Sequence, residues 1–296
     1  MSTQQPLRTS AFKQVDVFTA KPLLGNPLAV ILDAEGLSSA DMQRIAAWTN
    51  LSETTFVLPP TQPQADYRVR IFTPRNELPF AGHPSVGTAH ALLEAQRITD
   101  KTALIQECAA GLLPVRVDGD GAERRIFVRA PRATLHDADD TIAAMASAAL
   151  GVQVSAPRIV RNGPLWLICD LQQETSVRAL TPDMTATAAL CRKISAVGLV
   201  VFGRSRSPEY ALVVRVFCPA DGIPEDPVTG AANAAIGAYL HGTGTLGDVG
   251  ANYRVSQGRE IGRDGFVDVC VDTATGDVEI GGQTVTCVDG TLMLPQ

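Results

Sequence analysis

No stretch of the 296-residue chain approaches the roughly 20 apolar residues needed to cross a bilayer as a helix. The opening segment, MSTQQPLRTS, is polar and lacks the apolar run of a secretory leader. These two absences predict a cytoplasmic protein with no membrane partner. Positive charge is not in excess either. The formal net charge is −6, which argues against a nucleic-acid partner, since such partners leave a basic footprint. A small anionic substrate is not excluded, because it needs only a local positive field. The six cysteines are scattered, with no CxxC spacing, and read as buried thiols in a reducing compartment. Asn50 in NLS fits a glycosylation acceptor, but without a leader the match carries no weight.

Signatures of cofactor and nucleophile chemistry are also missing. There is no GxxxxGK[ST], no GxSxG and no HExxH. GTGTLG, from Gly242 to Gly247, has dinucleotide-fingerprint spacing, but it follows a helical pattern and leads into a strand, the reverse of the required context. His90, His136 and His241 have no partners at metal-ligand spacing. The expectation is no cofactor and no metal.

What the chain does contain is one phrase written twice. Residues 69–93 read VRIFTPRNELPFAGHPSVGTAHALL, and residues 214–240 read VRVFCPADGIPEDPVTGAANAAIGAYL. Val69 and Val214 are 145 residues apart, Pro84 and Pro227 are 143 apart, and Gln106 and Gln257 are 151 apart. Around these landmarks, strand and helix patterns recur in the same order. AFKQVDVFTA and NPLAVILD read as paired strands. SSADMQRIAAWTN reads as a helix with Met42, Ile45, Ala46 and Trp48 on its apolar face, and TTFVLPP and DYRVRIF as strands. RIVRNGPLWLICDL, TPDMTATAALCRKIS, VGLVVFG and YALVVRVF repeat the series. With 45% hydrophobic and 19% charged residues, both halves have material for a core.

A single long-period duplication predicts two similar α+β halves. The first is expected over 11–130 after a tail at 1–10, the second over 131–283. The boundary lies near RAPRATLHDADD. GGQTVTCVDGTLML has no counterpart in the first half and is expected to return to it as a final strand over 284–296. TGAANAAIGAYL and SVGTAHALL are small or apolar on nearly every face, as a helix enclosed on all sides must be. The predicted fold is therefore a curled, mostly antiparallel sheet wrapped around one central helix, once per half.

Each copy of the phrase places a proline, Pro84 or Pro227, at the expected first position of a central helix, with His83 or Asp226 as the cap. A helix start offers unpaired amides and about half a positive charge, which suits an anion. If both starts face one cleft, a carboxylate-bearing substrate fits there. An aspartate or histidine before such a helix is equally an ordinary cap or turn residue. Glu53, in NLSETTFVLPP, lies beside apolar Leu51, Phe56 and Val57. It reads either as a solvated loop carboxylate or as a desolvated general acid/base. A two-thiol racemase is disfavoured: FAGHPSVG contains no cysteine, and Cys218 is matched by Thr73.

VDVFTAKPLLGNPLAVIL, LSETTFVL, FTPRNELPFAGHPSVGTAHALL, EDPVTGAANA and QGREIGR together resemble the PhzF family of phenazine-biosynthesis-like proteins, from about Phe12 to the C-terminus. The resemblance implies the diaminopimelate-epimerase-like fold, a homodimer, and a cofactor-independent isomerase whose glutamate moves a proton on a ring carboxylate. It places the catalytic residues at Glu53, His83 and Asp226. Substrate-carboxylate amides fall at Gly82, Gly230 and Ala231. One position departs from the pattern. The characterised isomerase has serine where this chain has Ala231, which argues for a substrate other than the phenazine precursor. The alternatives are an amino-acid epimerase with two non-thiol bases, Glu53 with Asp226 or His83, and a small-anion binding protein without turnover.

Overall fold

A computed structural model describes residues 7–295. The chain forms two compact units, one from residues up to Val128 together with those from Gly282 onward, the other from Arg129 to Gly281.

In the first unit the chain runs through β1 (Leu7–Val17), β2 (Asn26–Ile31), α1 (Ser39–Thr49), β3 (Thr54–Leu58), β4 (Tyr67–Phe72), β5 (Glu77–Leu78), α2 (Gly82–Glu94), β6 (Ala103–Cys108), β7 (Gly111–Asp118) and β8 (Arg125–Arg129). The second unit contains β9 (Thr134–Asp137), α3 (Asp140–Leu150), β10 (Arg158–Arg161), β11 (Leu165–Gln173), α4 (Glu174–Arg178), α5 (Met184–Ile194), β12 (Gly198–Arg204), β13 (Leu212–Cys218), β14 (Ile223–Asp226), α6 (Gly230–Gly242), β15 (Asn252–Gln257), β16 (Gly265–Val271) and β17 (Val278–Gly282). The chain then returns to the first unit as β18 (Thr284–Pro295), which pairs antiparallel with β1. Residues 7–10, expected in an N-terminal tail, are instead the start of β1 and pair with β18; residues 1–6 lie outside the described residues.

The two units repeat one topology. In the first, the strand order is β18-β1-β2-β3-β4-β6-β7-β8, and the pairings are antiparallel except β2 with β3 and β4 with β6. In the second, the order is β9-β10-β11-β12-β13-β15-β16-β17, again antiparallel except β11 with β12 and β13 with β15. A parallel pair needs a crossover, and each unit supplies helices for both of its crossovers. The second crossover is the central helix, α2 or α6.

α2 packs against β1, β2, β3 and β18, and every residue from His83 to Leu93 is buried. Such enclosure requires a thin helix. A Cβ added at Gly87 would lie 2.6 Å from Leu28 Cδ2 and 2.8 Å from Val17 Cγ2. The outer faces of the sheets differ. α1 covers the first with Met42, Ile45 and Ala46 against Ile31, Phe56 and Phe72, while Trp48 of the same helix is 72% exposed. Three helices, α3, α4 and α5, cover the second around Leu167, Leu199 and Phe217.

The arginine of VRIF and VRVF does the same work in both copies. Arg70 grips the Glu77 carboxylate through Nε and Nη2, both at 2.7 Å. Arg215 grips Glu225 at 2.9 and 2.8 Å, and its Nη1 donates to the carbonyl of Leu180 at 2.8 Å. Each pair ties the strand of the phrase to the segment that leads into the central helix.

Candidate active site

The central helices begin differently from the sequence expectation. α2 starts at Gly82 with Ala81 as its cap, so His83 and Pro84 are the second and third helical residues. Proline is tolerated there because none of the first amides has an intrahelical partner. α6 starts at Gly230 with Thr229 as its cap. Pro227 precedes that helix, and Asp226 is neither cap nor helical. It is the last residue of β14, opposite Val216, in the extended conformation that a following proline favours.

Neither central helix has a side-chain cap on its backbone amides. By contrast Ser38 caps α1, Asp139 caps α3 and Asp183 caps α5. No cap side chain bonds the first-turn amides, which include those of Gly82, Gly230 and Ala231. Gly82 and Ala231 are partly exposed, and Gly230 is buried.

Glu53 is fixed by the turn between α1 and β3. Asn50 ends α1 in the left-handed conformation, with φ 53°, and Thr54 then enters β3 beside Ala29 of β2. The Glu53 side chain points at the start of α2, where its Oε2 lies 3.2 Å from His83 Nε2. The distance is that of an ion pair, but the two groups lack the alignment of a hydrogen bond. Glu53 is 16% exposed as a side chain, and Oε2 itself is buried. Burial pushes its pKa from 4.5 to about 7, against a smaller opposing effect from the Ser52 hydroxyl. Glu53 is therefore a desolvated carboxyl and not a solvated loop carboxylate.

Asp226 is half-buried, and its Oδ2 accepts a hydrogen bond from the Thr229 hydroxyl. Glu53, His83 and Gly82 belong to the first unit. Asp226, Gly230 and Ala231 belong to the second.

Other candidate groups lie elsewhere. His90 is buried further along α2, 3.3 Å from the Thr286 hydroxyl, and burial holds its pKa down at about 4. Burial raises the thiols of Cys169, Cys191 and Cys218, which makes them poor nucleophiles. Among the described residues no three His, Cys, Asp or Glu side chains gather closely enough to hold a metal ion. GTGTLG ends α6 and passes through a short turn into β15. No helix among the described residues is long and apolar enough to cross a membrane.

Sequence reasoning missed the supports of the helix starts. At the fourth helical position, Ser85 in α2 and Asn233 in α6 donate to the carbonyl of their own cap residue, each at 2.9 Å. A buried glutamine holds each of them: Gln106 donates to Ser85 Oγ at 2.9 Å, and Gln257 accepts from Asn233 at 3.0 Å. The repeated glutamine was visible as a landmark. The helix residue that each one holds was not.

Residues 15–290 match the family model described as phenazine biosynthesis-like protein (PhzC-PhzF), and the chain belongs to that family. It is 38% identical over 291 residues to antisense-enhancing sequence 1 of Schizosaccharomyces pombe, covering 95% of this chain and 97% of that one. It is 37% identical over 250 residues to the trans-2,3-dihydro-3-hydroxyanthranilate isomerase of Pseudomonas aeruginosa, covering 84% and 86%. The crystal structure of a Bacillus anthracis PhzF-family protein superposes with a TM-score of 0.83 at 28% identity, over 96% of this chain and 99% of that one. The fold is the α+β, diaminopimelate-epimerase-like one of that family.

Proposed function

We propose that the chain is an isomerase that moves a proton on a small carboxylate-bearing substrate, with Glu53 as the general acid/base. The observation that carries this reading is the Glu53 carboxyl itself, buried against His83 at a helix start without a side-chain cap, where burial pushes its pKa up to about 7. A base with a pKa near the working pH accepts a proton readily and returns it readily. The relatives named trans-2,3-dihydro-3-hydroxyanthranilate isomerase catalyse a reaction of this class.

In the proposed reaction, first-turn amides bind the substrate carboxylate; the candidates are Gly82 of α2, and Gly230 and Ala231 of α6. Glu53 takes a proton from a carbon next to a conjugated or electron-withdrawing group, and the same carboxyl delivers it to another carbon. His83, 3.2 Å away, stabilises whichever protonation state Glu53 has reached. Asp226 orients a polar group of the substrate or passes the proton. No step calls for a cofactor. A cytoplasmic homodimer is part of the proposal, on the strength of the scattered cysteines and the family resemblance.

The test is proton exchange in deuterated water, followed by NMR over a panel of cyclic and acyclic amino and hydroxy acids. Wild-type protein is expected to exchange one carbon-bound proton, and Glu53→Gln to lose that activity. Exchange that survives Glu53→Gln removes Glu53 from the reaction. Inversion of a stereocentre in place of double-bond movement identifies an epimerase. Anion binding without exchange identifies a binding protein, a reading that Ala231, lacking a hydroxyl donor, specifically favours.

A further inference from the structure

The two helix starts share a scaffold but differ at the cap residue, and that difference lies beside an acid. In both units a buried glutamine holds the fourth helical residue, which in turn holds the cap carbonyl. The cap is Ala81 in the first unit and Thr229 in the second. Only the second cap has a hydroxyl.

Two main-chain groups settle the orientation of the Gln257 amide. Its Oε1 lies 3.0 Å from the Thr229 amide N, which only donates, and its Nε2 lies 3.1 Å from the Asp226 carbonyl, which only accepts. Nε2 therefore also donates to Thr229 Oγ1, at 3.0 Å. A hydroxyl has one proton, and with its oxygen accepting from Gln257, that proton goes to Asp226 Oδ2. Gln257 is 1% exposed and Thr229 8%, so water does not compete freely for these positions.

We infer that Thr229 is a positioning residue: with Gln257 behind it, its hydroxyl holds the Asp226 carboxylate in one rotamer. Its catalytic consequence rests on the reading of Asp226 as part of the active site. Its structural content does not. In the first unit Ala81 has no hydroxyl to offer, and the matching scaffold serves only to hold the helix start.

The experiment follows the Thr229 hydroxyl proton by NMR in threonine-labelled protein, alongside the exchange assay. In wild-type protein the hydroxyl proton is expected to be visible and to exchange at least tenfold more slowly than exposed threonine hydroxyls. Gln257→Leu is expected to speed that exchange at least tenfold, and Gln106→Leu, which removes the matching glutamine of the other unit, to leave it unchanged. Thr229→Val is expected to lower kcat on the order of tenfold or more with KM within about threefold, and Thr229→Ser to restore it. A Thr229 hydroxyl that exchanges like an exposed one, or that ignores Gln257→Leu, overturns the inference. So does full kcat in Thr229→Val. If wild-type protein exchanges no substrate proton, the functional reading fails and the hydroxyl proton alone decides the inference.

Discussion

Replacing Glu53 with glutamine is expected to stabilise the protein, and only above a particular pH. The carboxyl titrates at 4.5 when solvated and at about 7 in the fold, because burial disfavours its charged form. Between those values the native state keeps a proton that the unfolded chain releases. Stability from this group is therefore fully present below about pH 4.5 and is lost as the pH rises through about 7. At 1.36 kcal/mol per pH unit, the loss is about 3 kcal/mol. Glutamine resembles the protonated acid in shape and has no charge to desolvate. The variant is thus expected to match wild type near pH 4.5 and to exceed it by about 3 kcal/mol at pH 8. Urea unfolding of both proteins at half-unit steps from pH 4.5 to 8.5 reads the difference directly. A flat difference across this range, or a gain confined to its acid end, refutes the reasoning. The result needs no substrate and so stands apart from the assignment of function.

Two further outcomes test how the helix starts are held. Gly87→Ala is expected to destabilise the protein by about 1–3 kcal/mol in urea unfolding, since the new methyl meets Leu28 and Val17 inside ordinary contact distance. Arg215→Met is expected to cost about 3–5 kcal/mol in the same measurement, because it strands the Glu225 carboxylate, 6% exposed, without its guanidinium; if Glu225→Gln and the double variant are no less stable than Arg215→Met, the cost belongs to the pair.

The architecture was legible because its signal is repeated. Periodicity marked β1 to β4 and their counterparts β10 to β13, and the recurring small residues of α2 and α6 marked two enclosed helices. The helix starts were misplaced for a tertiary reason. Pro84 and Pro227 occupy matching places in the phrase, but His83 is helical while β14 holds Asp226 extended, a difference of tertiary pairing that no proline rule contains. Glu53 was visible as a candidate, but the choice between a solvated and a desolvated carboxyl was not, because its contact with His83 of α2 joins residues thirty apart in sequence. The bond between Thr229 and Gln257 escaped notice for the same reason: it spans 28 residues and depends on β15 lying alongside β13.

The return of β18 to β1 sets an order of assembly. Every strand of the second unit lies between Arg129 and Gly282, so its sheet can close from contiguous chain. The first sheet cannot, since β1 must wait for a partner made only after that whole unit has been synthesised. Until then β1 is an unpaired edge and one flank of α2 is bare, the condition in which nascent chains pair with the wrong neighbour. The half that carries Glu53 is begun first and finished last, and its late step has the long loop closure that slows folding.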